Sequence, residues 1–145
     1  MAVVNPYASQ DLLIAAANSE RMSSIVSRDE KNPRPFARQV DAWWLAMLVG
    51  LEYGRTPLSG ETTKFNDGGV LASDPWRITH LELLAVAEEG VDVLQRPAQV
   101  VRIATEYANS GFDWLFEKLT GEAEPTLTLT NSLGQILNEK NVGHW

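Results

Sequence analysis

The chain has 145 residues and a mass of 16.1 kDa, the commonest size for one globular domain. Its apolar fraction of 44% and charged fraction of 21% exclude a disordered tail. The absence of cysteine excludes disulfides, thiolate metal sites and cysteine nucleophiles. The net charge is −7, and only four basic but ten acidic residues follow Arg77. This half is therefore not expected to coat a nucleic-acid duplex.

The sequence shows neither a secretion signal nor a membrane span. Residues Met1–Gln10 have no basic residue and no continuous apolar core, both of which a signal peptide needs. The longest apolar run, Ala42–Leu51, is about half the ~20 residues that a transmembrane helix requires. We therefore expect a cytoplasmic protein without a membrane partner.

The first half of the chain is predicted to be mostly helical. Apolar spacing indicates a short helix over Ser9–Ala17 and a second over Ser19–Val26. The two prolines in Arg28–Pro35 predict either an ordered loop or an exposed arm. The segment Phe36–Tyr53 is apolar nearly all round, which predicts a buried central helix that ends at Gly54.

Two segments are predicted to be β-structure. Residues 62–65 and 70–71 resemble short strands around the turn Asn66–Gly69, which predicts a small hairpin near 62–71. The alternation of Thr and Leu over Thr126–Thr130 predicts a half-buried strand. This strand would either pair with the hairpin or offer its edge to another chain.

The second half is predicted to contain three further helical segments. The first begins at Ser73 or Asp74, ends at Gly90, and is apolar around most of its circumference, so it should be largely buried. The second covers residues 98–109 and is ended by Gly111, and an apolar stripe over residues 112–119 follows it. Arg102 and Glu106 lie one turn apart and are expected to pair.

These elements predict a mainly α, single-domain bundle of five to six helices with a small β-hairpin and a C-terminal strand. Residues 1–125 would form the helical core domain. Residues 126–145 would form a strand and helix segment that offers a partner-binding surface.

No catalytic residue, metal site or cofactor site is predicted. His80 lies on a mostly apolar helix, where a packed or surface role is favoured over catalysis, and His144 lies near the end of the chain. Asn66, Asp67 and Asp74 lack the ligand spacing of an EF-hand calcium loop. The pair Gly68–Gly69 lacks the downstream Lys-Ser/Thr of a phosphate-binding loop.

The main concentration of positive charge is interrupted by Asp29 and Glu30. It consists of Arg28, Lys31, Arg34 and Arg38. We favour a solvated loop, and the alternative is a contact with nucleic acid or with an acidic partner.

The candidate partner-binding residues lie on an acidic helix face or in the C-terminal segment. They are Trp114, Glu117, Leu127, Leu129, Leu133 and Trp145. Trp114 lies nearly opposite the apolar stripe of its helix. It is expected either to be covered by the C-terminal segment or to contact a partner, since exposed tryptophan is enriched at binding hot spots.

Two parts of the sequence carry a resemblance. They are Arg28–Phe36, which leads into the Trp43–Trp44 helix, and Ser73–Ile78, with the later Glu106–Asn109 helix end. Over roughly residues 28 to 112, the chain is similar to small accessory proteins encoded in bacterial phage-defence gene clusters, beside DNA-modification or ATPase–nuclease restriction components. The resemblance implies an adaptor or regulatory subunit and carries over no catalytic residue.

The first hypothesis is therefore a non-enzymatic accessory subunit that binds a larger protein of a bacterial anti-phage defence or DNA-processing complex. Nucleic-acid contact would be indirect, and self-association stays open. One alternative is a nucleic-acid-binding protein that uses the basic 28–38 arm. The other is a small enzyme whose carboxylates are brought together only by the fold.

Overall fold

A computed structural model describes residues 5–141 of the chain. The described elements, in chain order, are β1 (Asp11–Ala15), α1 (Ala16–Ser23), α2 (Gln39–Tyr53), β2 (Thr62–Asp67), α3 (Trp76–Glu89), α4 (Pro97–Leu119) and α5 (Pro125–Asn141). Short 3-10 helices over Gly68–Ser73 and Val91–Gln95 precede and follow α3. The predicted mainly helical fold with a small antiparallel β element is confirmed. None of the helices within residues 5–141 combines the length and apolar character needed to cross a membrane.

The β element differs from the predicted hairpin in its partner strand. β2 pairs antiparallel with β1, from Asp11 opposite Asp67 to Ala15 opposite Thr62. The helix predicted for residues 9–17 is therefore wrong over residues 11–15, where Leu12 and Ile14 are buried at the period of two typical of a strand.

The second strand predicted at residues 70–71 is also wrong, because these residues lie in the 3-10 helix over Gly68–Ser73. The Asp67 carboxylate accepts a hydrogen bond of 2.9 Å from the Gly69 amide and so caps this helix at its start. The chain thus turns away from the sheet directly after β2.

The helices α2 and α4 pack backbone against backbone through two glycines. A Cβ atom on Gly50 would lie 1.9 Å from the Tyr107 carbonyl oxygen, and one on Gly111 would lie 1.7 Å from the Ala46 carbonyl oxygen. Only glycine allows this approach. The prediction that Gly111 ends a helix is therefore wrong. The two predicted segments form one helix, and Gly111 lies at its contact with α2.

The C-terminal segment is helical, so the strand predicted at Thr126–Thr130 is wrong. Leu129 is buried and Leu133 is half-buried, and both pack against the core beside α4. Leu129 and Leu133 are four residues apart and therefore lie on one face of a helix. Their packing against the core favours the helix over the strand that the local Thr/Leu alternation predicts. Pro125 occupies the first turn of α5, where its missing N–H costs nothing.

The basic segment is an ordered loop, one of its two predicted alternatives. The Ser27 amide donates to the Phe36 carbonyl at 2.9 Å, and the Phe36 amide donates to the Ile25 carbonyl at 3.2 Å. Phe36 itself is buried in the core. The two ends of the loop are therefore closed by main-chain hydrogen bonds and anchored by an aromatic side chain.

The glycine contact predicts a large effect of one added methyl group. Gly111→Ala should lower the free energy of unfolding by about 3 kcal/mol or more, because the backbones of α2 and α4 must separate. Gly134→Ala on α5 is the control, since its Cβ meets nothing within 4 Å. It should raise stability by about 0.5–1 kcal/mol. Urea denaturation measures both changes, and a Gly111→Ala stability close to wild type would contradict the contact.

Candidate functional site

An apolar surface is exposed between α2 and α3. We name it the α2–α3 groove, and its volume is about 350 Å³. The groove is lined by Met47, Leu48, Leu51, His80, Leu83 and Leu84. The side chains of Leu48 and Leu83 are 43% and 62% exposed. A cluster of exposed large apolar side chains is typical of an interaction site.

The groove follows from helical spacing on both of its walls. Trp44, Leu48 and Leu51 recur along one face of α2, and on α3 Trp76 lies one turn before His80. Trp76 is 47% exposed and marks one end of the groove. The prediction that α3 is largely buried is therefore wrong for the face that carries Trp76 and Leu83.

Four charged side chains link α2 to α3 at the Trp76 end of the groove. Arg38 donates to Asp41 through Nε and Nη2 at 3.0 and 2.9 Å, and its Nη2 also contacts Asp74 Oδ2 at 3.0 Å. Arg77 Nη2 donates to Asp41 Oδ1 at 2.9 Å, and Arg77 Nη1 lies 3.6 Å from Asp74 Oδ2. We name these four residues the ion-pair cluster. Its formal charges cancel.

Arg77 is the most buried member of the cluster, with 6% of its surface exposed. Its guanidinium carbon lies 5.4 Å from the Trp44 ring centroid and 5.2 Å from that of Trp76. Within the described chain, its buried Nε and Nη1 atoms make no hydrogen bond. The electron-rich faces of the two indoles therefore supply part of its stabilisation.

The aromatic contacts fix the position of Trp76. Its ring meets the Trp44 ring edge-on, with centroids 5.6 Å apart, and the His80 ring at 5.4 Å. Such edge-to-face pairs are a favoured aromatic geometry. Trp76 is therefore a half-exposed side chain that is held in place from below by Arg77 and from two sides by rings.

The charges of the cluster shift the pKa of its central carboxylate. Partial burial raises the pKa of Asp41, but the hydrogen bonds and positive charges of Arg38 and Arg77 outweigh this effect. The pKa of Asp41 therefore lies below the ordinary value of an aspartate. Because Asp41 is ionised at neutral pH, it can accept hydrogen bonds from both arginines while its charge balances one of them.

The structure separates the candidate basic residues by role. Arg38 belongs to the ion-pair cluster, and Arg34 donates to the Ser23 carbonyl. Arg28 is exposed, with its Nε 3.4 Å from the Ala37 carbonyl oxygen, and Lys31 is exposed as well. The loop also carries Asp29 and Glu30, so its surface has mixed charge.

The candidate partner-binding residues do not form one exposed surface. Trp114 is half-buried against the core, Leu129 is buried and Leu133 is half-buried. Glu117 on α4 and Leu127 on α5 are exposed. The predicted residue Trp145 lies outside the described residues. Sequence reasoning missed Leu48 and Leu83, because an all-round apolar helix gives no sign of which side is left uncovered.

One pair of carboxylates is brought together by the fold. Arg55 Nη2 lies 2.6 Å from Glu106 Oε1, and Arg55 Nη1 lies 3.4 Å from Glu88 Oε2. The Tyr107 hydroxyl donates to Glu88, and burial together with this carboxylate raises the pKa of Tyr107 to about 12. Both acids are thus engaged by a cation or a phenol.

The described residues form no metal cluster, and their exposed histidine packs against an aromatic ring. Residues 5–141 contain no group of three or more His, Asp or Glu side chains that could hold a metal ion. His80 lies exposed on α3 and contacts Trp76. Comparisons with known protein families, with curated proteins and with solved structures gave no match.

Asp41→Asn tests the ion-pair cluster. At pH 7, the loss of the anion should lower the free energy of unfolding by about 1–3 kcal/mol, because Arg77 keeps its burial and loses its closest acceptor. The stabilisation from Asp41 is present above the unfolded pKa of about 4 and is lost as pH falls through the lower folded value. The stability difference from wild type should therefore shrink in acid.

Urea denaturation at pH 7, 5 and 2 measures this pH dependence. The control is Asp113→Asn on the exposed side of α4, which should match wild type at each pH. A difference between wild type and Asp41→Asn that is the same at pH 7 and pH 2 would contradict the assignment.

Proposed function

We propose that the protein is a non-enzymatic, cytoplasmic accessory subunit that binds a larger protein of a bacterial anti-phage defence or DNA-processing complex. The α2–α3 groove carries this proposal, because it exposes large apolar side chains on a chain with an ample buried core of its own. The type of complex is inferred from the resemblance carried by Arg28–Phe36 and Ser73–Ile78.

The chain just after the first resembling segment contacts the second one. The first segment ends two residues before Arg38, and Arg38 contacts Ser73 and Asp74 of the second, which also contains Trp76 and Arg77. Apart from Ser73, these residues belong to the ion-pair cluster and to the aromatic contacts at one end of the groove. The second segment, together with Arg38, therefore helps to hold Trp76 where a partner would meet it.

The chemistry of the groove favours one kind of partner segment. Two helices that present leucines at helical spacing suit the apolar face of a third, amphipathic helix. Glu52 and Glu88 lie near the C-terminal ends of α2 and α3, but both are already paired, with Lys140 at 2.6 Å and with Arg55 at 3.4 Å. We infer an amphipathic partner helix with leucine or aromatic anchors.

The alternatives receive less support from the described residues. Arg38 is held between two carboxylates, and the loop that carries Arg28 and Lys31 also carries acids. Phosphate binding needs clustered positive charge. We therefore expect any nucleic-acid contact to be made through the larger partner.

Leu83→Glu tests the proposal in the native host. The tagged protein would be purified with and without nuclease, and its companions quantified by mass spectrometry. Wild type should recover a nuclease-resistant larger protein in stoichiometric amount. Leu83→Glu should lower that recovery by about tenfold or more, because the partner would have to bury a carboxylate in an apolar contact.

Leu137→Glu on α5 is a matched control, since Leu137 is also 62% exposed. It should recover the partner as wild type does. Loss of the partner in Leu137→Glu alone would move the interface to α5 and overturn the groove. A wild-type protein that is recovered alone would contradict the accessory-subunit proposal. Companions that vanish with nuclease would favour nucleic-acid binding instead.

A further inference from the structure

A second cavity, of about 530 Å³, lies outside the α2–α3 groove. It opens between the outer face of the small sheet, the connection over residues 55–61 and the first half of α4. Leu13, Leu58 and Val101 give it an apolar wall, and Arg102, Thr105 and Glu106 give it a polar wall. Its size and mixed lining are typical of small-molecule sites.

The walls of this cavity are fixed by contacts across it. The Thr56 amide donates to the Glu106 carbonyl at 3.1 Å, and Asn109 Nδ2 donates to the Thr56 carbonyl at 3.0 Å. The Arg55–Glu106 ion pair adds a third link between the connection and α4. The cavity is therefore preformed, which lowers the entropic cost of filling it.

The charges around the cavity leave a positive excess. Asp11 is paired with Lys64 at 3.0 Å, and Glu106 is paired with Arg55 at 2.6 Å. The predicted pair of Arg102 with Glu106 is wrong, and Glu106 pairs with Arg55 through its Oε1 atom instead. Among residues 5–141, Arg102 has no ion-pair partner. The charges of Asp11 and Glu106 are therefore balanced, whereas the positive charge of Arg102 is not.

The floor of the cavity supplies hydrogen-bonding groups. Thr105 and Glu106 are buried polar residues on α4, and both line the cavity. Buried polar groups are normally hydrogen-bonded. A ligand that carries a hydroxyl or amide beside its apolar body could contact the Thr105 hydroxyl.

We propose that this cavity binds a small organic carboxylate with an apolar body. The Arg102 guanidinium presents paired N–H donors that match a carboxylate. The body of the ligand lies against Leu13, Leu58 and Val101. This proposal stands independently of the accessory-subunit function, because the cavity and the α2–α3 groove share no residue.

The test compares 3-phenylpropionate with 3-phenylpropan-1-ol by NMR titration of the labelled full chain. The two probes share an apolar body and differ in the carboxylate. Amide shifts should concentrate at Leu13, Leu58 and residues 101–106, and the carboxylate should bind about tenfold more tightly. Arg102→Ala should reduce its affinity to that of the alcohol. Arg96→Ala, which removes a positive charge just before α4 but outside the cavity lining, should keep the preference.

Equal affinities for the two probes in wild type would overturn the role of Arg102. Shifts confined to Met47, Leu48 and Leu83 would place the probes in the α2–α3 groove and overturn the cavity site. A 3-phenylpropylamine control that binds more tightly than the carboxylate would also contradict the proposal. The variant Leu83→Glu should bind 3-phenylpropionate as wild type does, so failure of one site is distinguishable from failure of the other.

Discussion

The close contact of α2 with α4 at Gly50 and Gly111 is the constraint on which the rest of the structure depends. Because the two backbones touch, no side chain can lie between them at this point, while Trp43, two turns before Gly50, is fully buried and contacts Phe65. α3 packs against α4 and meets α2 through Trp44, Trp76 and the ion-pair cluster. Both helices pack against α4, and the groove is the space left between α2 and α3.

The ion-pair cluster holds the Trp76 end of the groove in a fixed position. Burial of Arg77 is costly unless its charge is compensated, and Asp41, Asp74 and two indole faces provide that compensation. The same contacts hold Trp76 at the end of the groove. A side chain that is already immobilised loses little entropy when a partner binds, which suits it to be an anchor. The groove therefore offers apolar area at one side and a rigid aromatic group at one end.

Local signals predicted the ends of the helices α2 and α3 well, because Gly54 and Gly90 directly after them take the positive φ that favours glycine. Gly111 was misread because a glycine that ends a helix and one that admits a neighbouring helix look the same in sequence. The strand prediction at Thr126–Thr130 is wrong because Leu129 fits two patterns. It lies two residues after Leu127, as in a strand, and four residues before Leu133, as in a helix. The ion-pair cluster could not be predicted from the sequence, since Arg38 and Asp74 are 36 residues apart and only the fold brings them together.

The claim at the centre of this structure is that the α2–α3 groove receives a partner helix. Site-specific photocrosslinking tests it most directly, with benzoylphenylalanine placed at Leu48, at Leu83 and, as a control, at Leu137 in the native host. We predict that the first two positions crosslink to the same larger protein and that Leu137 does not. Crosslinks from Leu137 alone, or none from Leu48 and Leu83, would contradict the claim.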